Sequence, residues 1–367
     1  MVDVERCPEC GIPKQVSDTH EWLNNGVIVL KGSPGIRLAY IDCEPLDPLF
    51  NGIGQLIGTP VEPIVVHAVR RGTREYIGPT ITPEIREQVR TDKDLLLTIV
   101  NALILTTRIN GGGCMELKEM RYEYEVGDFI THRYLDPHSV PVAMGEIAGS
   151  CEAVTGNEFS DCSYTRIAPG TYEMTARATR VPFEPEGRQQ PPQYHWKKGD
   201  AEFERCATCG APREFRNYKW DIDLGTIRST QTGRRITLFG PAVYEHVFKE
   251  MGKELGVILP VVVIETQRRF TRSGFYNIEE ITDGERWRNQ LILRGMGNLK
   301  EYEISPKGLR LRLDNTCMHL LVLGMVQGLY ERAFEKESSV QWELSEEGVL
   351  QAEISPLFSK FLFISNR

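Results

Sequence analysis

No uninterrupted apolar run in this 367-residue chain approaches the twenty or so residues needed to cross a bilayer, so the sequence holds no transmembrane helix. The start, MVDVERCPEC, lacks the basic residues and apolar stretch of a secretory signal, and the expectation is a cytoplasmic chain with reduced cysteines. Positive charge is not in excess. The net charge of −8 argues against a general nucleic-acid-binding surface, and no helix-turn-helix pattern stands out. Nucleophile elbows, phosphate-binding glycine loops, zinc-protease helices and dinucleotide fingerprints are all missing, which weighs against an enzyme. The nine cysteines are odd in number, and four of them stand in two C-x-x-C pairs, a pattern that suits metal binding better than a disulfide framework.

What is present is a repeat. RCPECGIPK begins at Arg6 and RCATCGAPR at Arg205, and internal repeats fix the architecture before any motif does. The match continues: Gly26 falls on Gly225 and Ile28 on Ile227, then, after a one-residue gap, Phe50, Gly54 and Gly58 fall on Phe248, Gly252 and Gly256. VVHAVRRGTR lies on VIETQRRFTR, and further on MGEIAGSCEAV lies on LGMVQGLYERA, which sets Gly145 and Gly149 on Gly324 and Gly328. The length favours two domains. The expectation is a tandem duplication with a first copy over 1–180, a Pro- and Gln-rich linker over 181–204, and a second copy over 205–367, the copies packing as a pseudo-two-fold dimer.

Within the second copy, AVYEHVFKEMGKELG spaces Val243, Val247, Met251 and Leu255 as a helix would. VILPVVVIETQRRF is β-branched and predicts a buried strand that becomes exposed at its arginines, and PVEPIVVHAVRR predicts the same in the first copy. NLKEYEISPKGLRLRLDN alternates around Pro306-Lys307-Gly308 and predicts a hairpin, MHLLVLGMVQGLYERAF a helix, and SSVQWELSEEGVLQAEIS a second hairpin. Helices mixed with a largely antiparallel sheet give an α+β class.

That order of hairpin, glycine-spaced helix and hairpin resembles the 4-vinyl-reductase domain family. RGMGNLKEYEISPKGLRLRLDN, LGMVQGLYERAF, VQWEL and VLQAEIS carry the resemblance, with fainter echoes in GGGCMELKEMRYEYEVGDF, MGEIAGSCEAVTG and YEMTARA. The family includes aromatic-sensing domains of bacterial transcription regulators, a bacteriochlorophyll-biosynthesis protein and subunits of a vesicle-tethering complex. The resemblance implies binding of small apolar molecules or scaffolding, and its name does not establish reductase chemistry. Several sensory members hold a structural zinc near the domain's end. Cys151, Cys162 and Glu158 lie in that region of the first copy, whereas the second has no cysteine there.

Two thiolates make half of a tetrahedral zinc site, and neither copy carries a second C-x-x-C to complete it. If the two loops meet, Cys7, Cys10, Cys206 and Cys209 form one structural zinc site shared by the copies. Three other readings compete. A redox C-x-x-C normally caps a helix after a strand, and here only six residues precede Cys7. The pairs can also be plain buried thiols. Separate sites would need His20 or Cys43, whose counterparts in the second copy are Trp220 or Asp221 and Pro241.

Arg70, Arg71 and Arg74 match Arg268, Arg269 and Arg272, three guanidinium groups that can grip a carboxylate or phosphate or pair with the chain's own acids. Leu320, Leu321, Leu323, Met325, Val326 and Leu329 can line a small-molecule pocket or plain core. His132 and His138 face Leu311 and Cys317 in the alignment, and neither they nor the lone Cys114 has a placed catalytic partner. The functional expectation is a non-catalytic, zinc-stabilised protein that binds a small apolar or aromatic ligand or a partner protein. The alternative is an enzyme or carrier of tetrapyrrole or aromatic-compound metabolism, its activity in the first copy.

Overall fold

The computed structural model describes residues 4–183 and 196–357. The first half runs α1 (Lys14–Thr19), β1 (His20–Trp22), β2 (Ile28–Leu30), β3 (Ser33–Asp42), α2 (Leu46–Ile57), α3 (Glu62–Ile77), α4 (Pro83–Val89), α5 (Lys93–Ile109), β4 (Cys114–Arg121), β5 (Phe129–Leu135), α6 (Val140–Thr155), β6 (Asp161–Ala168) and β7 (Thr171–Arg177). The second half runs β8 (Tyr218–Asp221), β9 (Thr226–Ser229), β10 (Arg235–Phe239), α7 (Pro241–Leu255), α8 (Leu259–Arg272), α9 (Glu279–Thr282), α10 (Gly284–Leu293), β11 (Asn298–Ser305), β12 (Gly308–Asp314), α11 (His319–Phe334), β13 (Ser338–Leu344) and β14 (Leu350–Pro356). The class is α+β, with three antiparallel sheets among the described residues. Two of these are four-stranded and share one topology, β4-β5-β7-β6 and β11-β12-β14-β13. Both predicted hairpin pairs of the second half, and the helix between them, are present.

The third sheet joins the halves. Its order is β1-β2-β3-β10-β9-β8, with β3 and β10 antiparallel from Ala39↔Phe239 to Asp42↔Ile236. Each half then packs onto the other's four-stranded layer through contacts that recur at matching residues. Arg37 donates to the carbonyls of Gly295, Asn315 and Thr316, and Arg235 donates to those of Gly111 and Asp136. Tyr40 N donates to Arg294 O and Leu238 N to Asn110 O, both at 2.8 Å. Gly26 and Gly225 show why glycine stands there: a Cβ on either would come within 2.3 or 2.1 Å of the backbone of Gly297 or Gly113, and both have positive φ. From the region expected as a linker, Lys197 and Ala201 bond to Asn315 and Asn24; residues 184–195 of that expected linker lie outside the described residues.

The two segments expected as strands are helices, α3 and α8. Their buried residues, Val65, Ala68, Val69, Gly72 and Leu259, Val263, Ile264, Gln267, repeat at helical rather than alternating spacing. Proline at the first turn of each begins the helix. Packing then overrides β-branched propensity: α3 lies along α6 and α8 along α11, with Gly145, Gly149, Gly324 and Gly328 at the crossings.

Candidate metal centre and ligand cavity

Each C-x-x-C turn is closed by its own backbone. Cys7 N donates to Ile12 O and Gly11 N to Cys7 O, both at 2.9 Å; in the other loop Cys206 N donates to Ala211 O at 2.8 Å and Gly210 N to Cys206 O at 2.9 Å. Arg6 reaches across to Trp220 O at 2.8 Å and Arg205 to Trp22 O at 3.1 Å, so each loop is held by the other half's outer strand. The loops meet. Cys7 and Cys206 sulfurs are 3.6 Å apart, Cys10 and Cys209 sulfurs 3.5 Å, and all four lie within 4.8 Å of one another. Zinc–sulfur bonds of about 2.3 Å in a tetrahedron set the sulfurs about 3.8 Å apart. The group can therefore hold a metal ion.

The thiols are not equivalent. Burial opposes ionisation of Cys7, but backbone hydrogen bonds from Cys10 and Glu9 bring it down to about 7, while burial raises Cys10 and Cys209. The Glu9 carboxylate accepts from the Cys206 thiol at 3.2 Å and from Thr208 N at 3.3 Å. Four sulfurs this close repel one another as thiolates, and a cation between them would relieve that repulsion. His20 is turned elsewhere, its Nδ1 2.7 Å from Val16 O, and burial holds Cys43 up at about 12, so neither joins the cluster. All nine cysteines are free thiols.

The arginine triads sit on helices facing the chain's own acids. Arg70 donates to Glu152 Oε1 and Arg74 to Glu152 Oε2, each at 2.9 Å; Arg268 donates to Glu331 at 2.6 Å, and Arg272 lies 3.4 Å from it. The backbone N–H groups of Phe159 and Ser338 complete the two carboxylates, each at 2.9 Å. Arg71 pairs with Glu250 and Arg269 with Glu265. Cys162 borders a polar recess beside Arg70, and Glu158 lies 3.6 Å from Arg70; among the described residues they form no metal group with Cys151.

A second feature was not singled out in the sequence. Between α5, β4, β5 and α6 of the first half, with Thr237, Leu238, Phe239 and Val243 of the second half on one side, lies a partly open cavity of about 420 Å³, lined mostly by apolar side chains such as Leu96, Val100, Leu103, Ile104, Met115, Ile130, Ile147 and Phe159. It extends to Val16 and His20, next to the cysteine loop. Its polar wall is His132, Tyr134, His138, Glu146 and Cys151. Burial pushes both histidines down to about 4, Arg235 adding to the effect at His138, and pushes Glu146 up to about 8. Glu146 lines the cavity with 35% of its side-chain surface accessible, and burial of its carboxyl surroundings is what raises it. His132 Nδ1 is buried without a hydrogen-bond partner.

The second half differs at the matching positions. Counting from the paired Asn110 and Arg294 carbonyls, Leu103 corresponds to Trp287, which packs on Tyr302 with ring centres 5.1 Å apart. His132 corresponds to Leu311, and, counting from the matched Gly145/Gly324 and Glu152/Glu331, Glu146 corresponds to Met325 and Cys151 to the fully buried Tyr330. Bulky or apolar groups stand there against smaller or polar ones in the first half. The pairwise swap is the signal in the sequence that could have located the cavity.

No family model and no curated protein matches the chain. Among solved structures, it is similar over part of its length to a Cs H-NOX mutant carrying 4-cyano-L-phenylalanine, with 13% identity, 33% of this chain and 76% of that chain covered, and a TM-score of 0.23. It is likewise similar to an oxygen-binding H-NOX domain related to soluble guanylate cyclases, with 15% identity, coverage of 32% and 73%, and a TM-score of 0.22.

Proposed function

We propose that the chain is a non-catalytic binding protein whose first half holds one small apolar or aromatic molecule in the cavity, while a structural zinc held by Cys7, Cys10, Cys206 and Cys209 clamps the two halves together. The observation that carries the ligand reading is the cavity itself: about 420 Å³ of largely apolar space, within the usual range for small-molecule sites, with a few polar groups on one wall. A void of that size costs packing energy that a core without a ligand would be expected to recover by filling it. The corresponding place in the second half carries Trp287 and Tyr330. That contrast favours one ligand per chain.

The zinc reading is supported by the sulfur spacing, which matches four thiolates set tetrahedrally around one ion. Nine free thiols suit a reducing, cytoplasmic setting. The doubled order of hairpin, helix and hairpin fits a tandem pair of domains of the 4-vinyl-reductase kind, derived by duplication and fusion of an ancestral homodimer. Among the described residues, the Cys151 thiol on the cavity wall has no hydrogen bond to a base, which favours binding over turnover.

Titration with 2-phenylethanol, followed by calorimetry, tests the ligand reading. The wild type is expected to bind one equivalent, and a Leu103→Trp variant, which copies the second half, to lose at least about tenfold in affinity while keeping its fold. A wild type that takes up no probe, or a filled variant that binds equally well, would sink the reading.

A further inference from the structure

The cavity holds an acid without an internal counter-ion, and the inference drawn from it rests on the ligand-binding reading above. Glu152 and Glu146 share helix α6. Glu152 is neutralised by Arg70 and Arg74 and accepts from Phe159 N. Glu146, on the cavity wall, has among the described residues one ion-pair candidate, His138, whose Nε2 lies 3.7 Å from Oε2. That imidazole is not a cation. Burial holds it at about 4, so it is neutral at pH 7, and because its Nδ1 lies 3.3 Å from Gly112 O, a carbonyl that can only accept, its one proton is on Nδ1 and Nε2 presents a lone pair.

The other groups packed around Glu146 are also uncharged or turned away. On β5, His132 is neutral with an unpartnered Nδ1, and Tyr134 donates to Gly112 O at 3.3 Å, which leaves its oxygen free to accept. On α7, Tyr244 is buried with an unpartnered hydroxyl and senses the Glu146 charge. On α6 itself, Cys151 is an un-ionised thiol held up by burial. Arg235 on β10, the cation that acts on His138, is bonded to the carbonyl oxygens of Asp136 and Gly111. A buried carboxyl is costly unless paired, and the matching place in the second half is Met325. A site for a purely apolar ligand gains nothing from the acid.

We propose that the ligand supplies the missing charge: the cavity takes an apolar molecule bearing one protonated amine, with the Glu146 carboxylate as its counter-ion and His138 Nε2 as a second acceptor. The proton balance is closed. The carboxyl is protonated in the empty site at neutral pH, the ammonium enters with its proton, and the carboxyl proton leaves to solvent. An ammonium offers three donors, and this wall presents acceptors to meet them.

The test compares 2-phenylethylamine with its neutral near-isostere 2-phenylethanol by calorimetry on the full chain between pH 6 and pH 8.5, in two buffers of different ionisation enthalpy. The amine is expected to bind at least about tenfold tighter than the alcohol at pH 8, to gain roughly tenfold in affinity from pH 6 to pH 7, and to release close to one proton. Both histidines titrate well below this window and do not contribute. Glu146→Gln is expected to abolish the pH slope and to bring the ratio of amine to alcohol affinity, both read in the same variant, to about one, and Glu146→Met serves as the second variant should Gln disturb the fold. Alcohol binding equal to amine binding, without a pH slope, overturns the amine proposal and leaves the cavity reading intact. Binding of neither probe overturns both.

Discussion

Glu152 is buried between two guanidinium groups and a backbone N–H, whereas Glu146, on the same helix, lies on the cavity wall with the neutral His138 imidazole 3.7 Å away. Burial therefore raises the Glu146 carboxyl to about 8, well above its ordinary value of 4.5. The folded state then keeps a proton that the unfolded chain has released, so stability falls as pH rises from about 4.5 to about 8 and is flat with respect to this group outside that window. Glu146→Gln cannot titrate. Urea unfolding of both proteins at pH 5, 6, 7 and 8 is expected to show the variant gaining on the wild type with each step and levelling off above pH 8. A stability difference that does not change with pH would mean that the carboxyl is solvated. At this scale the sequence was partly legible. The C-x-x-C-G spacing pointed to half a metal site, and the four cysteines come together as the hypothesis of two packed copies expected. Glu146 did not announce itself, because a single acid on an apolar helix reads as a surface residue until the shape of the cavity is known. The arginine triads were legible as repeats but not by partner, since Glu152 and Glu331 lie some eighty and sixty residues away from Arg70 and Arg268.

The paired helices α3–α6 and α8–α11 approach so closely that a Cβ at Gly149 would sit 2.3 Å from Arg70 O, a backbone atom that cannot swing aside. Gly149→Ala is therefore expected to destabilise the fold by about 1–3 kcal/mol, against the usual gain when alanine replaces a mid-helix glycine. Gly252→Ala in α7 is the control. Its Cβ would meet nothing closer than 3.6 Å, to a flexible leucine, so the same substitution should be neutral or stabilising by up to about 1 kcal/mol. Chemical unfolding of the two variants checks the pair, and equal effects would mean that the close crossing is not what Gly149 is for. The same crossings explain why VVHAVRRGTR and VIETQRRFTR were misread as strands. Their β-branched residues point to strand on local propensity, and the partner helices that reward a helical face, α6 and α11, follow some eighty and sixty residues later in the chain. The hairpins were legible because alternation and the Pro306-Lys307-Gly308 turn act locally.

At the scale of the molecule, the repeat in the sequence predicted doubled parts but not that they would be interleaved. The outer strands of each half join one six-stranded sheet, while α2 packs on α8 and α7 on α3, so each half completes the other's core. The four sulfurs lie where the two N-terminal loops meet, beside the cluster formed by Ile12, Trp22, Phe215 and Trp220. A metal bound there would link segments about two hundred residues apart and bind only the folded chain, so its binding energy adds to folding energy. Elemental analysis of the purified protein is expected to give one zinc per chain, and Cys206→Ser to give none. At free zinc a thousandfold above the dissociation constant, the linkage amounts to about 4 kcal/mol, enough to lower Tm by several degrees in the variant or in chelator-treated wild type. Because the cluster and the shared sheet tie both halves together, the loss should appear as one displaced transition and not as the melting of a single half. Two zincs per chain would mean separate sites and undo the clamp; no zinc, with an unchanged Tm in Cys206→Ser, would leave the four thiols as packing and return the C-x-x-C pairs to redox chemistry.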